Sequence, residues 1–184
     1  MKLSDEEKRS LILMARQEIE RSLIRENSGK KQIADLQGNV HATCGAFVSL
    51  YVKDELRGCM GTFSESDLLC DNVRRMAIAA AWSDSRFRPV YRAELADLEI
   101  EISVLSPRKR ISGPQEIIIG KHGIYIQKDS FRGTLLPQVA VNQNWDAEEF
   151  LGHCAKYKAG LEWEEWRSAE LYTYEAIVIK SQDM

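Results

Sequence analysis

The sequence has no run of apolar residues close to the roughly 20 that span a bilayer. Its beginning, Met1–Glu7, lacks the apolar core of a signal peptide. We therefore expect a cytoplasmic protein with no membrane partner. It has only four prolines and four cysteines, and no two cysteines form a CxxC pair. Because structural zinc usually takes closely spaced pairs of ligands, the scattered Cys44, Cys59, Cys70 and Cys154 favour free thiols over a metal site.

The sequence also lacks the short motifs of common cofactor sites. It contains no P-loop, no glycine-rich dinucleotide fingerprint, no HExxH and no serine nucleophile elbow. It has no cluster of three cysteines to hold an iron–sulfur centre, so we predict no cofactor and no metal. The formal charge of −3 provides no surplus of positive charge, which argues against nucleic acid as a partner.

What the sequence does contain is a mixture of helical and strand periodicity. Spacing of apolar residues and capping residues predict helices over residues 5 to about 25, 66–82 and 146–158. Alternation predicts strands over 43–52, 56–62, 98–105 and 171–180, and a second hairpin over 123–127 and 131–136. Residues 30–42 are expected to form a loop after a helix end at Asn27-Ser28-Gly29. Separate helices and hairpins favour an α+β fold with a mostly antiparallel sheet.

The segment Leu56–Gly61 is the strongest candidate for a functional centre. Gly58 and Gly61 flank Cys59 and leave the backbone around the thiol open to close approach. Arg57 lies two residues from Cys59, so a regular strand would place both side chains on one face, where the guanidinium would favour the thiolate. A free cysteine is also among the most buried residue types. A packing role therefore stays open beside that of a nucleophile.

Three further polar residues are candidates for the same site. His122 lies in a turn, where it would either transfer protons near neutral pH or hydrogen-bond the backbone. Arg86, in the loop 83–90, would either clamp an anionic ligand or pair with Asp84. The pair Arg57-Gly58 recurs as Arg132-Gly133 after a second Lys-Asp turn. Either two pseudo-symmetric hairpins present both arginines to one anion, or common turn chemistry has arisen twice.

Two glutamates on predicted strands give opposite expectations. Glu101 alternates with apolar residues and is expected to point into solvent. Glu175 follows Tyr174 in an apolar strand, so if it is buried it needs a cation, for which Arg57 or Arg132 would serve.

The segment Leu56–Gly61 resembles the central motif of the AMMECR domain family, which reads Leu-Arg-Gly-Cys-Ile-Gly, with Met60 as a mild departure. Further segments match that family in order: 84–90, 99–107, 120–123, 135–140, 150–161 and 171–175. The resemblance covers nearly the whole chain after the first helix. It implies one α+β domain over residues 1–184, with a larger and a smaller subdomain intertwined and the motif near their junction. Family members are called AmmeMemoRadiSam system protein A, which implies association with a Memo-like protein and a radical S-adenosylmethionine protein.

Two functions stay open on this basis. The first is a thiol-dependent enzyme, or an enzyme component, that acts with the radical partner on an anionic small molecule or a modified macromolecule. Its catalytic residues would be Cys59 and His122, and its substrate-binding residues would be Arg57, Gly58, Gly61, Arg86 and Arg132. The alternative is a non-catalytic binding or adaptor module that uses the same cleft between subdomains. A homodimer is compatible with either function.

Overall fold

The chain divides into two compact units. The computed structural model describes residues 2–24 and 38–183. The first unit comprises Met1–Leu105 and Ile177–Met184, and the second comprises Ser106–Ala176. The predicted helix end at Asn27-Ser28-Gly29 and most of the predicted loop 30–42 lie outside the described residues.

The helices and strands follow the α+β pattern predicted from the sequence, which is confirmed. Up to Leu105 the elements are α1 (Asp5–Ile24), β1 (Ala46–Val52), β2 (Glu55–Thr62), α2 (Leu69–Trp82) and β3 (Leu98–Leu105). They continue with β4 (Lys109–Ile111), β5 (Gly123–Lys128), β6 (Phe131–Leu135), α3 (Pro137–Gln143), α4 (Ala147–Cys154), β7 (Glu170–Tyr174) and β8 (Ala176–Lys180). Among the helices of the described residues, none has both the length and the apolar character of a membrane span.

The first unit is a four-stranded sheet with the order β2-β1-β3-β8, in which β1 runs antiparallel to both β2 and β3. Val48, Leu50 and Ile102 are fully buried within a cluster that α1 and α2 also enter. Ala77 and Ala80 are buried on α2, and their small side chains let the helix backbone lie close to the sheet. The other face of β1 carries Phe47, Ser49 and Tyr51, because successive side chains alternate.

The ends of the helices in the first unit have local causes. α1 begins with a capping box, in agreement with the predicted helix start: the Ser4 N–H donates to Glu7 Oε2 at 2.6 Å, and the Glu7 N–H donates to Ser4 Oγ at 3.2 Å. α2 begins at Leu69 rather than at residue 66. Leu68 is extended and forms a β-bridge with Thr43, which keeps the chain out of the helical conformation until the next residue.

The second unit is an antiparallel sheet with the order β4-β7-β5-β6. Phe150 and Leu151 of α4 are fully buried in its core. A capping box also begins α4, where the side chains of Asp146 and Glu149 each accept a hydrogen bond from the other's backbone N–H. One π-helical turn follows, and Gly160 ends it with a left-handed φ of 73°.

The predicted single strand over residues 171–180 is wrong. β7 belongs to the sheet of the second unit and β8 to the sheet of the first, with Glu175 between them. Glu175 is exposed, and its carboxylate forms a salt bridge with Lys121 Nζ at 3.2 Å. The cation that pairs with Glu175 is thus Lys121, and not Arg57 or Arg132 as the sequence suggested. Its backbone binds Ser106: the Ser106 N–H donates to the Glu175 carbonyl, and the Glu175 N–H donates to Ser106 Oγ, each at 2.9 Å.

Candidate functional site around Cys59

The hairpin that carries Cys59 closes with a two-residue turn. Val52 pairs with Glu55, and the turn residues Lys53 and Asp54 have positive φ values of 51° and 64°. This combination is typical of a type I′ turn, whose twist matches that of the flanking strands. The Lys-Asp sequence therefore serves a conformational purpose here, and β2 begins immediately after it.

A β-bulge then occurs at Arg57. Leu50 pairs with Gly58 and Tyr51 pairs with Leu56, which leaves Arg57 as the extra residue of β2. The expectation of a regular strand through Arg57 and Cys59 is therefore wrong. A bulge bends its strand and redirects a side chain, and the arginine here finds a partner on the segment that follows α2.

The Arg57 guanidinium is held by Glu94. Nε and Nη2 donate to the two carboxylate oxygens of Glu94 at 2.8 and 3.0 Å, and Nη1 donates to the carbonyl of Arg88 at 3.3 Å. Both side chains are largely covered. The hydrogen bonds from Arg57 hold the pKa of Glu94 below its usual range, although burial opposes the shift. Arg57 thus ties the bulge to the segment around Glu94.

Cys59 differs from the other three cysteines in its surroundings. It is partly exposed, whereas Cys44, Cys70 and Cys154 are buried. Burial is the first cause that raises the pKa of each of those three thiols above its ordinary value. Cys59 pairs across the sheet with Ser49, whose hydroxyl donates to Cys59 Sγ at 3.2 Å.

An aspartate–arginine pair fixes the backbone of Cys59. The Cys59 N–H donates to Asp84 Oδ2 at 2.9 Å, and Arg86 Nη2 donates to the Cys59 carbonyl at 3.2 Å. Arg86 also donates to both oxygens of Asp84, through Nη2 at 2.6 Å and Nε at 2.8 Å. These side chains supply the donor and the acceptor that a further strand would have supplied. We call this pair the Asp84–Arg86 clamp.

The clamp is asymmetric in its exposure. The Asp84 side chain is 4% exposed and that of Arg86 is 53% exposed. The hydrogen bond from Arg86 is the main cause that holds the pKa of Asp84 well below its usual range, against the opposing effect of burial. The pKa of Arg86 is raised first by Asp84 and, more weakly, by the nearby Cys59. The predicted alternative, in which Arg86 pairs with Asp84, is confirmed, and its exposed edge lies beside the cysteine.

The two glycines of the motif are close-packing positions. A Cβ on Gly58 would overlap the carbonyl oxygen of Ala80 in α2, and a Cβ on Gly61 would overlap the ring of Phe47. The groups that approach these glycines are therefore parts of the first unit itself.

A polar row crosses the sheet at Cys59. Ser49 pairs with Cys59 on one side and with Glu101 on the other. The Glu101 side chain is only 13% exposed and lies 3.6 Å from Lys180 Nζ. The expectation of a solvated Glu101 is therefore wrong, because this face of the sheet is not open to water at β3. Tyr51, two residues from Ser49, shares the face of the row.

His122 and Arg132 belong to the second unit. The Ile118 N–H donates to His122 Nδ1 at 3.2 Å, so this histidine does bind the turn backbone, as one of its two predicted roles requires. Arg132 is exposed on β6, opposite Gln127. A shared anion for Arg57 and Arg132, and a proton-transfer role for His122 at Cys59, stay predictions.

The two similar hairpins differ in register. In the second one Lys128 pairs with Phe131, so the turn falls on Asp129-Ser130, one residue later than the first relative to the Lys-Asp pair. The pairing of β5 with β6 has no bulge. The glycines nevertheless correspond, since a Cβ on Gly133 would crowd the backbone of Lys158 and Ala159. Close packing against a helix thus explains why glycine recurs after each arginine, at Gly58 and at Gly133.

Sequence reasoning missed Ser49 and Tyr51, and it weighed Asp84 only as a partner for Arg86. A regular hairpin would have placed Val48 opposite Cys59, so the bulge alone brings Ser49 there. In the described ranges 2–24 and 38–183, no group of three or more histidine, cysteine, aspartate or glutamate side chains is arranged to hold a metal ion.

Comparison with known proteins adds the family context. The AMMECR1 family model matches residues 12–179. Protein MK0488 of Methanopyrus kandleri is 38% identical over 194 residues, which cover 99% of this chain and 92% of that protein. A protein of Methanothermobacter thermautotrophicus is 39% identical over 165 residues, covering 86% of this chain and 85% of that protein. The crystal structure of the uncharacterised protein PH0010 from Pyrococcus horikoshii has a TM-score of 0.88 and 33% identity, covering 97% and 93% of the two chains.

Proposed function

The chain belongs to the AMMECR1 family, and on that premise we propose that it is a thiol-dependent enzyme, or the thiol-bearing component of one, with Cys59 as the nucleophile. One observation carries the proposal. Cys59 is the one partly exposed cysteine of the four, and its backbone is fixed on both sides while a hydroxyl donates to its sulfur. A nucleophilic sulfur must be accessible to its substrate. A fixed backbone also holds the sulfur in place, which lowers the entropy lost in reaching the reactive geometry.

The chemistry would be attack of the Cys59 thiolate on an electrophilic carbon of the substrate. The contact from Ser49 is one that a thiolate keeps, because a charged acceptor strengthens a hydrogen bond. Arg86 donates to the carbonyl of Cys59 and leaves half of its side chain exposed. Its outer N–H groups are the ones we assign to an anionic group of the substrate. Arg57, Gly58 and Gly61 would act by holding the strand, because their contacts are made within the first unit.

The substrate and partners follow from the resemblance to AmmeMemoRadiSam proteins. We place the reaction beside a radical S-adenosylmethionine protein and a Memo-like protein, on an anionic small molecule or a modified macromolecule. His122 and Arg132 belong to the second unit, and their part in the reaction stays a prediction from the sequence.

Site-resolved alkylation of the folded chain tests the proposal. Iodoacetamide should label Cys59 at least about tenfold faster than Cys44, Cys70 or Cys154, as expected for an accessible thiol against buried ones. Peptide mass spectrometry gives the rate at each site. Labelling of Cys59 at the same slow rate as the buried thiols would end the catalytic interpretation.

The charge of the reagent tests the role of Arg86. Iodoacetate is anionic, so the rate ratio of iodoacetate to iodoacetamide at Cys59 should fall about fivefold in Arg86→Gln, the effect of one charge contributing about 1 kcal/mol at the surface. Arg86→Lys should keep most of the ratio. Arg75→Gln is the matched control, since Arg75 is 55% exposed and also pairs with an aspartate at 2.6 Å. An equal loss in both glutamine variants would refute a local effect.

A binding or adaptor module is the second candidate, and the pairing of Arg57 and Arg86 with carboxylates favours it. In that case Cys59 contributes packing alone. Cys59→Ser should then lower the melting temperature while leaving partner capture intact. For the enzyme, Cys59→Ser should abolish turnover in an assay with the radical partner and leave the melting temperature nearly unchanged.

A further inference from the structure

An aromatic side chain stands next to Cys59 on the same face of the first sheet. Ser49 pairs with Cys59 across the strands, and Phe47 pairs with Gly61 in the next row. Phe47 and Cys59 are therefore diagonal neighbours, a relation in which residues lie about 7–8 Å apart and an aromatic side chain reaches across. Both residues are partly exposed. The sulfur and the ring thus lie within the span of one small molecule.

The ring of Phe47 is held in place by its neighbours. A Cβ on Gly61 would overlap three carbon atoms of this ring, so the ring lies directly over the Gly61 backbone and leans from β1 toward β2. The ring of Phe63 meets it edge to face, with centroids 5.6 Å apart and planes at 75°, an arrangement that aromatic pairs favour. Any side chain at position 61 would displace the ring. Gly61 therefore keeps an apolar surface beside Cys59.

The group on the other side of Cys59 is charged. Arg86 approaches from the outer edge of β2, where its Nη2 donates to the Cys59 carbonyl, and about half of its side chain is exposed. Phe47 belongs to β1, on the inner side of the same strand. The sulfur is thus flanked by a guanidinium on one side and by an apolar ring on the other.

We propose that Phe47 forms a subsite for an aryl group of the substrate that reacts at Cys59. This inference rests on the proposed nucleophilic role of Cys59 and specifies the substrate class. The substrate is an aryl compound with an anionic group for Arg86 and an electrophilic carbon between the two. Its ring packs against that of Phe47, either offset-stacked or edge to face. Contact with the fixed ring holds the electrophilic carbon near the sulfur and so raises the rate of attack.

Two uncharged alkylating reagents test the subsite. Iodoacetamide and iodoacetanilide both react by attack of the thiolate on their CH2 carbon, which forms the S–C bond and releases iodide, and they differ by one phenyl ring. The ratio of the iodoacetanilide rate to the iodoacetamide rate at Cys59 is divided by the same ratio for free glutathione. This normalised ratio should be about five, the effect of one aromatic contact. A value within about twofold of one, or below one, would overturn the subsite.

Substitution of Phe47 locates the effect. Phe47→Leu keeps an apolar side chain but removes the ring, so the normalised ratio should fall about threefold while the iodoacetamide rate stays nearly unchanged. Phe47→Ala should bring the ratio close to that of glutathione. Ile78→Ala is the matched control and should keep the wild-type ratio. It removes a 37% exposed apolar side chain from α2, the helix that packs against the other face of the sheet.

The outcomes distinguish the subsite from the nucleophile. A wild-type ratio that persists in both Phe47 variants would assign the preference for the phenyl reagent to another surface and overturn the subsite. Cys44 is buried in the core of the first unit, so its labelling reports a variant that has lost its fold. If Phe47→Ala unfolds, Phe47→Leu decides. A wild-type Cys59 that resists both reagents would instead refute the proposed nucleophile itself.

Discussion

Asp84→Asn is the substitution that tests most directly how the candidate site is held together. The Asp84 carboxylate accepts four hydrogen bonds: from the Cys59 N–H, from the Arg86 N–H, and from Nε and Nη2 of Arg86. Asparagine keeps one side-chain oxygen and turns the other into a donor. Two of the four donors would then face an NH2 group.

The magnitude follows from those two lost bonds. Hydrogen bonds to a charged group contribute about 1.5–3 kcal/mol each to stability. The hydrogen bond from the Cys59 N–H ends on the Asp84 carboxylate, which is only 4% exposed, so its loss should cost the full amount. The Arg86 side chain is 53% exposed and can bind water instead, so the loss of its hydrogen bond should cost less. We expect a loss of roughly 3 kcal/mol in the free energy of unfolding. For a chain of this size that corresponds to a melting temperature lower by about 6–12 °C.

Thermal unfolding followed by circular dichroism measures the effect. Asp71→Asn is the control, because Asp71 pairs with Arg74 at 3.2 Å but is 54% exposed, and it should leave the melting temperature nearly unchanged. If Asp84→Asn melts within about 1 °C of the wild type, the clamp does not stabilise the edge of the sheet and the reasoning fails.

The pH dependence supplies a second readout of the same substitution. The folded pKa of Asp84 is depressed, chiefly by its hydrogen bond from Arg86. A depressed carboxyl stabilises the fold fully above its unfolded pKa of about 3.9, and this stabilisation is lost as the pH falls toward the folded pKa. The difference between wild type and Asp84→Asn should therefore be constant from pH 7 to 5 and shrink below pH 4. A difference that grows on acidification would contradict this sign.

Three further substitutions test separate contacts. Arg57→Lys breaks the bidentate hydrogen bond to Glu94 and should lower the free energy of unfolding by about 1–3 kcal/mol. A double-mutant cycle with Glu94→Gln should give a coupling energy above about 0.5 kcal/mol. Additive effects of the two substitutions would mean that the pair contributes nothing to stability. Gly58→Ala should destabilise by about 1–3 kcal/mol or more, because the new methyl overlaps the Ala80 carbonyl; an unchanged urea midpoint would show that α2 moves aside. Phe150→Ala should cost about 3–5 kcal/mol, since the ring is fully buried, and near-wild-type stability would mean that the core of the second unit refills the space.

The sequence predicts the local devices of this fold better than its long-range contacts. The box at Ser4 and Glu7, the turn at Lys53-Asp54 and the stop at Gly160 are all encoded within a few residues, and all are present. The period of two identifies β1 and β3, because one of their faces is uniformly apolar. The split at Glu175 has no such signal, since apolar residues lie on both sides of it in the sequence.

The candidate site is less predictable because one extra residue decides it. The bulge at Arg57 changes the cross-strand partner of Cys59 from Val48 to Ser49. The residue pattern of β2 contains no feature that predicts a bulge. The contact between Asp84 and the Cys59 N–H joins positions 25 residues apart. The sequence limits the predicted roles of Arg86 to two, because its partner Asp84 lies only two residues away. The burial of Glu101 depends on tertiary packing, so alternation alone gives the wrong environment.

The return of the chain to the first sheet has a consequence for synthesis on the ribosome. The strand β8 comes from residues 176–180, so β3 has no outer neighbour until those residues have emerged. Residues 106–176 are contiguous and have their own core by then. Until then, Glu99 and Glu101 would place negative charge along the unpaired edge strand β3, which discourages pairing with other nascent chains. The charges that stand opposite Tyr51 and Ser49 in the finished sheet would thus reduce aggregation of the unfinished one.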